Sequence, residues 1–154
     1  LGRTVAQKMG LREGARAFVV DPPAASWLAI DAPPLDVADE LDGLFDYIHL
    51  FTRGAVELER ELPRLRPHLG STGSLWVSWP KGRKQGTDLT LPRVIEIGYR
   101  HVLVESTCLS VDATWSALKF TRPKPGKVYR NSYGRLPDRW GDASTGTSGD
   151  RDGD

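Results

Sequence analysis

The apolar positions fall into short runs separated by polar, glycine- or proline-rich stretches, and both sheet and helix periods can be read from them. Ala15–Val20 (ARAFVV) and Phe45–Phe51 (FDYIHLF) are near-continuous apolar runs of strand length, the first following the turn-like Glu13-Gly14 pair. Such runs are expected of strands buried on both faces of a parallel sheet. From Arg53 onward, Leu58, Leu62, Leu65 and Leu69 recur at spacings of four, three and four, which places them on one helical face turned toward a core. Pro63 and Pro67 interrupt that pattern and predict a break or kink. Gly70–Gly73 then punctuates the chain before a third strand, Ser74–Trp79 (SLWVSW), closed by Pro80.

Beyond it lies a basic loop with glycines near both ends, Lys81–Gly86, and then Thr87-Asp88-Leu89-Thr90-Leu91-Pro92. Thr87, Asp88 or Thr90 is suited to cap a helix that starts near residue 90 and runs to about Arg100. His101–Val111 and Thr114–Thr121 predict two strands joined by a tight turn, a closing hairpin. Leu35–Leu41 has weaker strand character, and only about five residues separate it from the strand at Phe45. An extended chain of that length reaches at most roughly 17 Å, so a strand there would return as bare chain, without a crossover helix. No internal repeat is visible. The pattern predicts an α/β fold: a mostly parallel sheet with an antiparallel C-terminal edge hairpin and helices on both faces.

Composition narrows the picture. With 154 residues, 39% hydrophobic, and five tryptophans, one folded domain is expected. It is assigned to residues 1–122. From residue 123 to 154, Gly, Pro, Ser, Asp and Arg dominate, and the apolar residues, Tyr129, Tyr133 and Trp140 among them, are too sparse to offset ordering entropy. A disordered polar tail is predicted there. The 21 basic and 20 acidic residues give a net charge of +1, which disfavours a nucleic-acid partner. The charges are unevenly placed: residues 1–60 hold six basic and ten acidic residues, net −4, and residues 61–122 hold nine and five, net +4. The lone Cys108 allows no internal disulfide and no cysteine-rich zinc cage, which suits a reducing compartment and predicts a cytoplasmic protein. No apolar run approaches the roughly 18 residues of a membrane span, and the first residues lack the apolar core of a secretory signal.

The succession strand, helix, weak strand, FDYIHLF strand, helix, SLWVSWP strand, helix and hairpin resembles the later half of a class I methyltransferase sheet, over roughly residues 10–122. The whole chain is also similar to a bacterial domain-of-unknown-function family marked by a Ser-Trp-Pro-Lys segment, here Ser78-Trp79-Pro80-Lys81, followed by Thr87-Asp88-Leu89-Thr90. These resemblances imply a shortened Rossmann-like fold; the second implies no activity. Methyltransferases carry a glycine-rich turn after the first strand, where the backbone must approach the cofactor. Here that stretch is Asp21-Pro22-Pro23-Ala24-Ala25-Ser26-Trp27. It has no glycine, its two prolines remove backbone donors, and Trp27 adds bulk. S-adenosylmethionine in the usual pose is therefore disfavoured, and no cofactor is expected.

The strongest candidate for binding is the Lys81–Gly86 loop. It leaves the carboxyl end of a predicted strand and enters a helix N-terminus, the edge where open α/β sheets hold ligands and where an anion is favoured. Lys81, Arg83 and Lys84 would supply charge, Thr87 and Asp88 would shape the helix entrance, and His49, Trp79, Trp115 and Lys119 would form the pocket wall. The loop lacks the G-x-x-x-x-G-K-[ST] spacing of nucleotide hydrolases, and no G-x-S-x-G elbow occurs. His49, His68 and His101 show no metal-ligand spacing, so no metal is expected. Cys108 in its strand reads as a small buried hydrophobe. The leading expectation is a non-catalytic or regulatory protein binding a small anionic ligand. The alternatives are a transferase holding its cofactor in a changed pose and a protein-interaction module using the C-terminal tail.

Overall fold

A computed structural model describes residues 2–137. Its elements in chain order are α1 (Val5–Met9), β1 (Arg16–Val20), α2 (Ala24–Ile30), β2 (Asp36–Val37), β3 (Phe45–Phe51), α3 (Ala55–Leu65), β4 (Leu69–Pro80), α4 (Leu91–Arg100), β5 (Val104–Ser110) and β6 (Trp115–Thr121). The strands form one six-stranded sheet in the order β2-β1-β3-β4-β6-β5. The pairs β1–β2, β1–β3 and β3–β4 are parallel, while β6 runs antiparallel to both of its neighbours. The hairpin closes the sheet as expected, with β6 inserted between β4 and β5, so that the last described strand is an interior one and β5 forms the edge.

Side-chain alternation divides the sheet into two apolar layers. Ile48, Leu50, Leu75, Val77, Trp79, Leu118 and Phe120 pack with α3 and α4 through Leu58, Leu62, Leu65, Val94 and Ile97. Tyr47, Phe51, Trp76, Trp115 and Ala117 pack on the other face with Ala6 and Met9 of α1 and Ile30 of α2. At Gly98 the fourth helix comes so close to the sheet that an added Cβ would lie 2.2 Å from Phe120 Cε1.

Several elements depart from the expected bounds. The third helix runs through Pro63 to Leu65: near a helix C-terminus the missing N–H costs a single bond, and the packed Leu58, Leu62 and Leu65 hold the last turn in place. The fourth strand begins at Leu69, so Gly70–Gly73 lies within it, across a register irregularity between Phe45 and Tyr47. A Cβ on Gly73 would stand 2.7 Å from the Phe45 carbonyl oxygen, so the glycine permits a close approach of two backbones. The first strand is fully buried only at Ala17, because its outer neighbour is the two-residue β2, which pairs with Arg16 and Ala17 alone. Since β2 ends beside the start of β1, residues 38–44 can lead back to β3 as plain chain. Arg16 fastens them through its Nε to the Leu44 carbonyl and its Nη2 to the Asp42 carbonyl.

Within the stretch expected as a polar tail, residues 123–137 lie against α4 and β5: Tyr129 and Leu136 pack on the core, Asn131 Nδ2 donates to Glu105 Oε2 at 2.6 Å, and Gly134 sits against the Tyr99 ring. The rest of the expected tail, including Trp140, lies outside the described residues.

Candidate functional site

In an open α/β sheet the natural ligand position is the crevice beyond the carboxyl ends of the strands where their order reverses, here between β1 and β3. The turn leaving β1 contains Asp21 at φ +53° and then Pro22 and Pro23, and the start of α2 has no side-chain cap. The start of α3 is closed by protein groups: Ala55 N–H donates to Asp88 Oδ1 at 2.9 Å, while Thr52 Oγ1 and the Arg53 amide both donate to Glu57 Oε1. Above Phe51 the Trp115 ring packs edge-on at 5.6 Å, and the Arg53 guanidinium stands 5.0 Å over that ring. Ser26 Oγ in α2 donates to Asp112 Oδ2 at 2.7 Å, and Asp112 Oδ1 receives the Thr114 and Trp115 amides. Burial alone would raise the Asp112 carboxyl; these hydrogen bonds and the charge of Lys81 bring it below the usual carboxylate range. The β5–β6 turn is thereby tied to α2 across the crevice. The turn fits the usual methyltransferase pose of an adenosyl group poorly, because Pro22 and Pro23 carry no backbone donor where the glycine-rich turn would supply them, and the amides at the start of α3 are already engaged.

His49 is fully buried and, contrary to expectation, lies apart from the hollow that Trp79 lines. Its Nδ1 lies 2.6 Å from the Tyr47 hydroxyl, its Nε2 lies 2.7 Å from Ser78 Oγ, and its ring stacks on Phe51 at 4.2 Å. Burial lowers its pKa to about 3, so the ring is neutral near pH 7 with both nitrogens engaged. Register explains the rest of the misplacement. His49 pairs with Trp76, and Trp76 with Lys119, so these three share one face of the sheet while Trp79 occupies the other. Trp115 belongs to the His49 face and is buried. The wall imagined from four residues is thus split: Trp79 lies on one side of the sheet and His49, Trp115 and Lys119 on the other.

On the Trp79 face, at the carboxyl end of β4, there is an open hollow of about 430 Å³ lined by Trp79, Lys81, Gly82, Arg83, Leu89, Thr90, Leu91, Cys108 and Ser116. The Lys81–Gly86 loop forms its rim. Gly82, Arg83, Gln85 and Gly86 all adopt left-handed conformations, with φ between +56° and +73°, and neighbouring elements hold the loop in place. The Lys81 amide donates to the Thr114 carbonyl at 2.7 Å, Lys81 Nζ to Ser110 Oγ at 2.5 Å, Lys84 Nζ to the Ala113 carbonyl at 2.9 Å, and Arg53 Nε to Gln85 Oε1 at 2.7 Å. Of the three cations singled out in the sequence, Lys84 is turned to the hairpin, Lys81 lines the hollow while bonded to Ser110, and Arg83 lines it with no ion pair among the described residues.

Thr87 Oγ1 accepts from the Leu89 amide and shapes the approach to α4, whereas Asp88 caps α3 and Thr90 caps α4 by accepting from Arg93 N–H. Cys108 and Ser116 were not anticipated as lining residues. Alternation along the hairpin does contain the signal, since Cys108 pairs with Leu118 and Ser116 with Trp79 on the same face. Cys108 is exposed, not the buried hydrophobe its strand position suggested, and desolvation raises its thiol, so that it reacts slowly as a nucleophile while staying open to reagents.

Among the described residues, no helix is long and apolar enough to cross a membrane, and no three His, Cys, Asp or Glu side chains gather as a metal site. No protein-family model and no curated protein matches the chain, so the Ser78–Lys81 segment is supported here only as the end of β4 and the start of the loop. Solved structures do match. A TehB-like SAM-dependent methyltransferase from Corynebacterium glutamicum is 15% identical with a TM-score of 0.52, over 78% of this chain and 88% of that one. A ribosomal protein L11 methylase from Lactobacillus delbrueckii subsp. bulgaricus is 15% identical with a TM-score of 0.50, over 80% and 81%. A Pyrococcus horikoshii OT3 protein is 10% identical with a TM-score of 0.53, over 78% and 88%. At such identities the likeness is one of architecture, and it shows that this chain has a methyltransferase-like Rossmann fold.

Proposed function

We propose that the protein is a non-catalytic ligand-binding protein on a methyltransferase-like sheet, and that its ligand is a small anion held in the hollow at the end of β4. The observation that carries this reading is the hollow itself: a concavity of about 430 Å³ between Trp79, Leu89 and Leu91, with Arg83 in its lining and no carboxylate paired to Arg83 among the described residues. Ligand sites are commonly apolar concavities of this size with a few directed polar groups. The crevice between β1 and β3, by contrast, is closed by Phe51, Trp115 and the Ser26–Asp112 hydrogen bond. A free thiol at Cys108 suits a reducing, cytoplasmic setting.

A second reading draws on the same volume. A transferase that keeps its methyl donor in the hollow and not at the crevice would also suit a site of this size, and the fold is that of SAM-dependent enzymes. Thermal-shift measurements with S-adenosylmethionine, S-adenosylhomocysteine, nucleotides and small anions separate the two, since a ligand that binds only the native state raises the melting temperature with concentration. Small anions are expected to stabilise the chain and the adenosyl compounds to leave it unchanged. Saturable stabilisation by either adenosyl compound would instead favour the transferase.

A further inference from the structure

The chemistry of the hollow narrows the class of anion. Lys81 is bonded to Ser110, and its charge acts on the Asp112 carboxylate. Lys84 is bonded to the Ala113 carbonyl, facing away from the hollow. Among the described residues, Arg83 is the one of these three cations whose side chain makes no hydrogen bond or ion pair, and a guanidinium suits a planar carboxylate because two parallel N–H groups match the two oxygens. The remaining surface is mostly apolar. Trp79 and Leu89 form the floor, and Leu91, the first residue of α4, keeps 37% of its surface exposed at the mouth. The Ser116 hydroxyl lies in the same lining and makes no hydrogen bond among the described residues. A phosphate dianion would leave these apolar walls wet.

We infer that the hollow takes a small organic acid, a single carboxylate on an aromatic or aliphatic body, with the carboxylate on Arg83 and the body against Trp79, Leu89 and Leu91. This rests on the hollow being the protein's ligand site. The occupant covers Leu91 and offers Ser116 a partner. It also covers Cys108, which makes the chain's one cysteine a built-in reporter of occupancy.

The test uses the full chain with four probes: phenylacetate, hexanoate, inorganic phosphate, and the uncharged phenylacetamide. Melting temperature and the rate of Cys108 alkylation by iodoacetamide are read at increasing probe concentration. Phenylacetate or hexanoate is expected to raise the melting temperature and slow alkylation severalfold, with phosphate and phenylacetamide far weaker. Arg83→Gly removes the guanidinium at a left-handed position that glycine adopts freely, and it is expected to weaken organic-acid binding by about tenfold, the loss of one charge-assisted hydrogen-bonding group. Inorganic phosphate binding as well as the organic acids, with Cys108 protected, would overturn the organic-acid assignment and leave the anion site standing. If no probe protects Cys108, the hollow is not the ligand site and both readings fall. Phenylacetamide equal to phenylacetate, or Arg83→Gly unchanged in affinity, would likewise remove the carboxylate from the assignment.

Discussion

A residue that changes its protonation only when the fold opens makes stability depend on pH, and His49 is such a residue. Its pKa is 6.5 when solvated and about 3 in the folded chain, where burial excludes the charged form. As pH falls below 6.5 the unfolded state takes up a proton that the folded state refuses. The contribution therefore vanishes above pH 6.5 and turns against folding between there and about pH 3, by about 1.4 kcal/mol per unit once well below 6.5. Urea denaturation at pH 7.5 and pH 5 should show a loss of about 2 kcal/mol from this group, absent in His49→Gln; an equal loss in both proteins would refute the assignment. Arg83 offers a second test at the same scale. Held at φ +60°, it should gain up to about 1 kcal/mol of stability when replaced by glycine, read as a higher urea midpoint even as ligand affinity falls. A variant less stable than the parent would show that the side chain has a structural role. The buried strand around His49 was legible in the sequence, but the face His49 occupies was not. Parity within a strand follows from alternation, but parity between strands follows from register, and only the His49–Trp76 pairing shows that His49 and Trp79 point to opposite faces.

At the scale of elements, periodicity located what packing alone decides and missed what distant side chains decide. Phe45–Phe51, the Leu58–Leu62–Leu65 stripe and the helix ending at Arg100 were all readable because their apolar spacing is local. Asp88 was not readable in its observed role: its carboxylate caps α3, whose first residue is 33 positions earlier, and nothing in the local spacing announces a cap at that distance. Gly98 had no visible role in the sequence either, since its reason is the Phe120 ring 2.2 Å from where a Cβ would stand. Gly98→Ala would force α4 away from the sheet. Although alanine is the better helix former, the expected result is a net loss of about 1–3 kcal/mol by chemical denaturation, the usual cost of overpacking. A neutral or stabilising outcome would mean that α4 is free to shift outward and that its contact with β6 is loose.

For the whole molecule, residues 123–137 form a strap whose few apolar contacts escape any window of composition. Tyr129 and Leu136 are far apart in a polar stretch, and they find the core only because Gly134 lets the backbone close on Tyr99 and Asn131 reaches Glu105. Ending the chain at Arg122 is expected to lower the melting temperature by several degrees, the effect of losing about 1–2 kcal/mol in a domain of this size, and to expose Tyr99 to solvent quenchers. An unchanged melting temperature would show that the strap adds nothing to the fold. The position of β6 reaches further than stability. Because the last described strand is the one that separates β4 from β5, a nascent chain cannot complete this sheet until Thr121 has been synthesised. Until then the apolar edge of β4, with Leu75 and Val77, stands open as a template for pairing with other chains. Premature termination before Trp115 would thus yield a product prone to aggregation and clearance by proteases, since no strand would cover that edge.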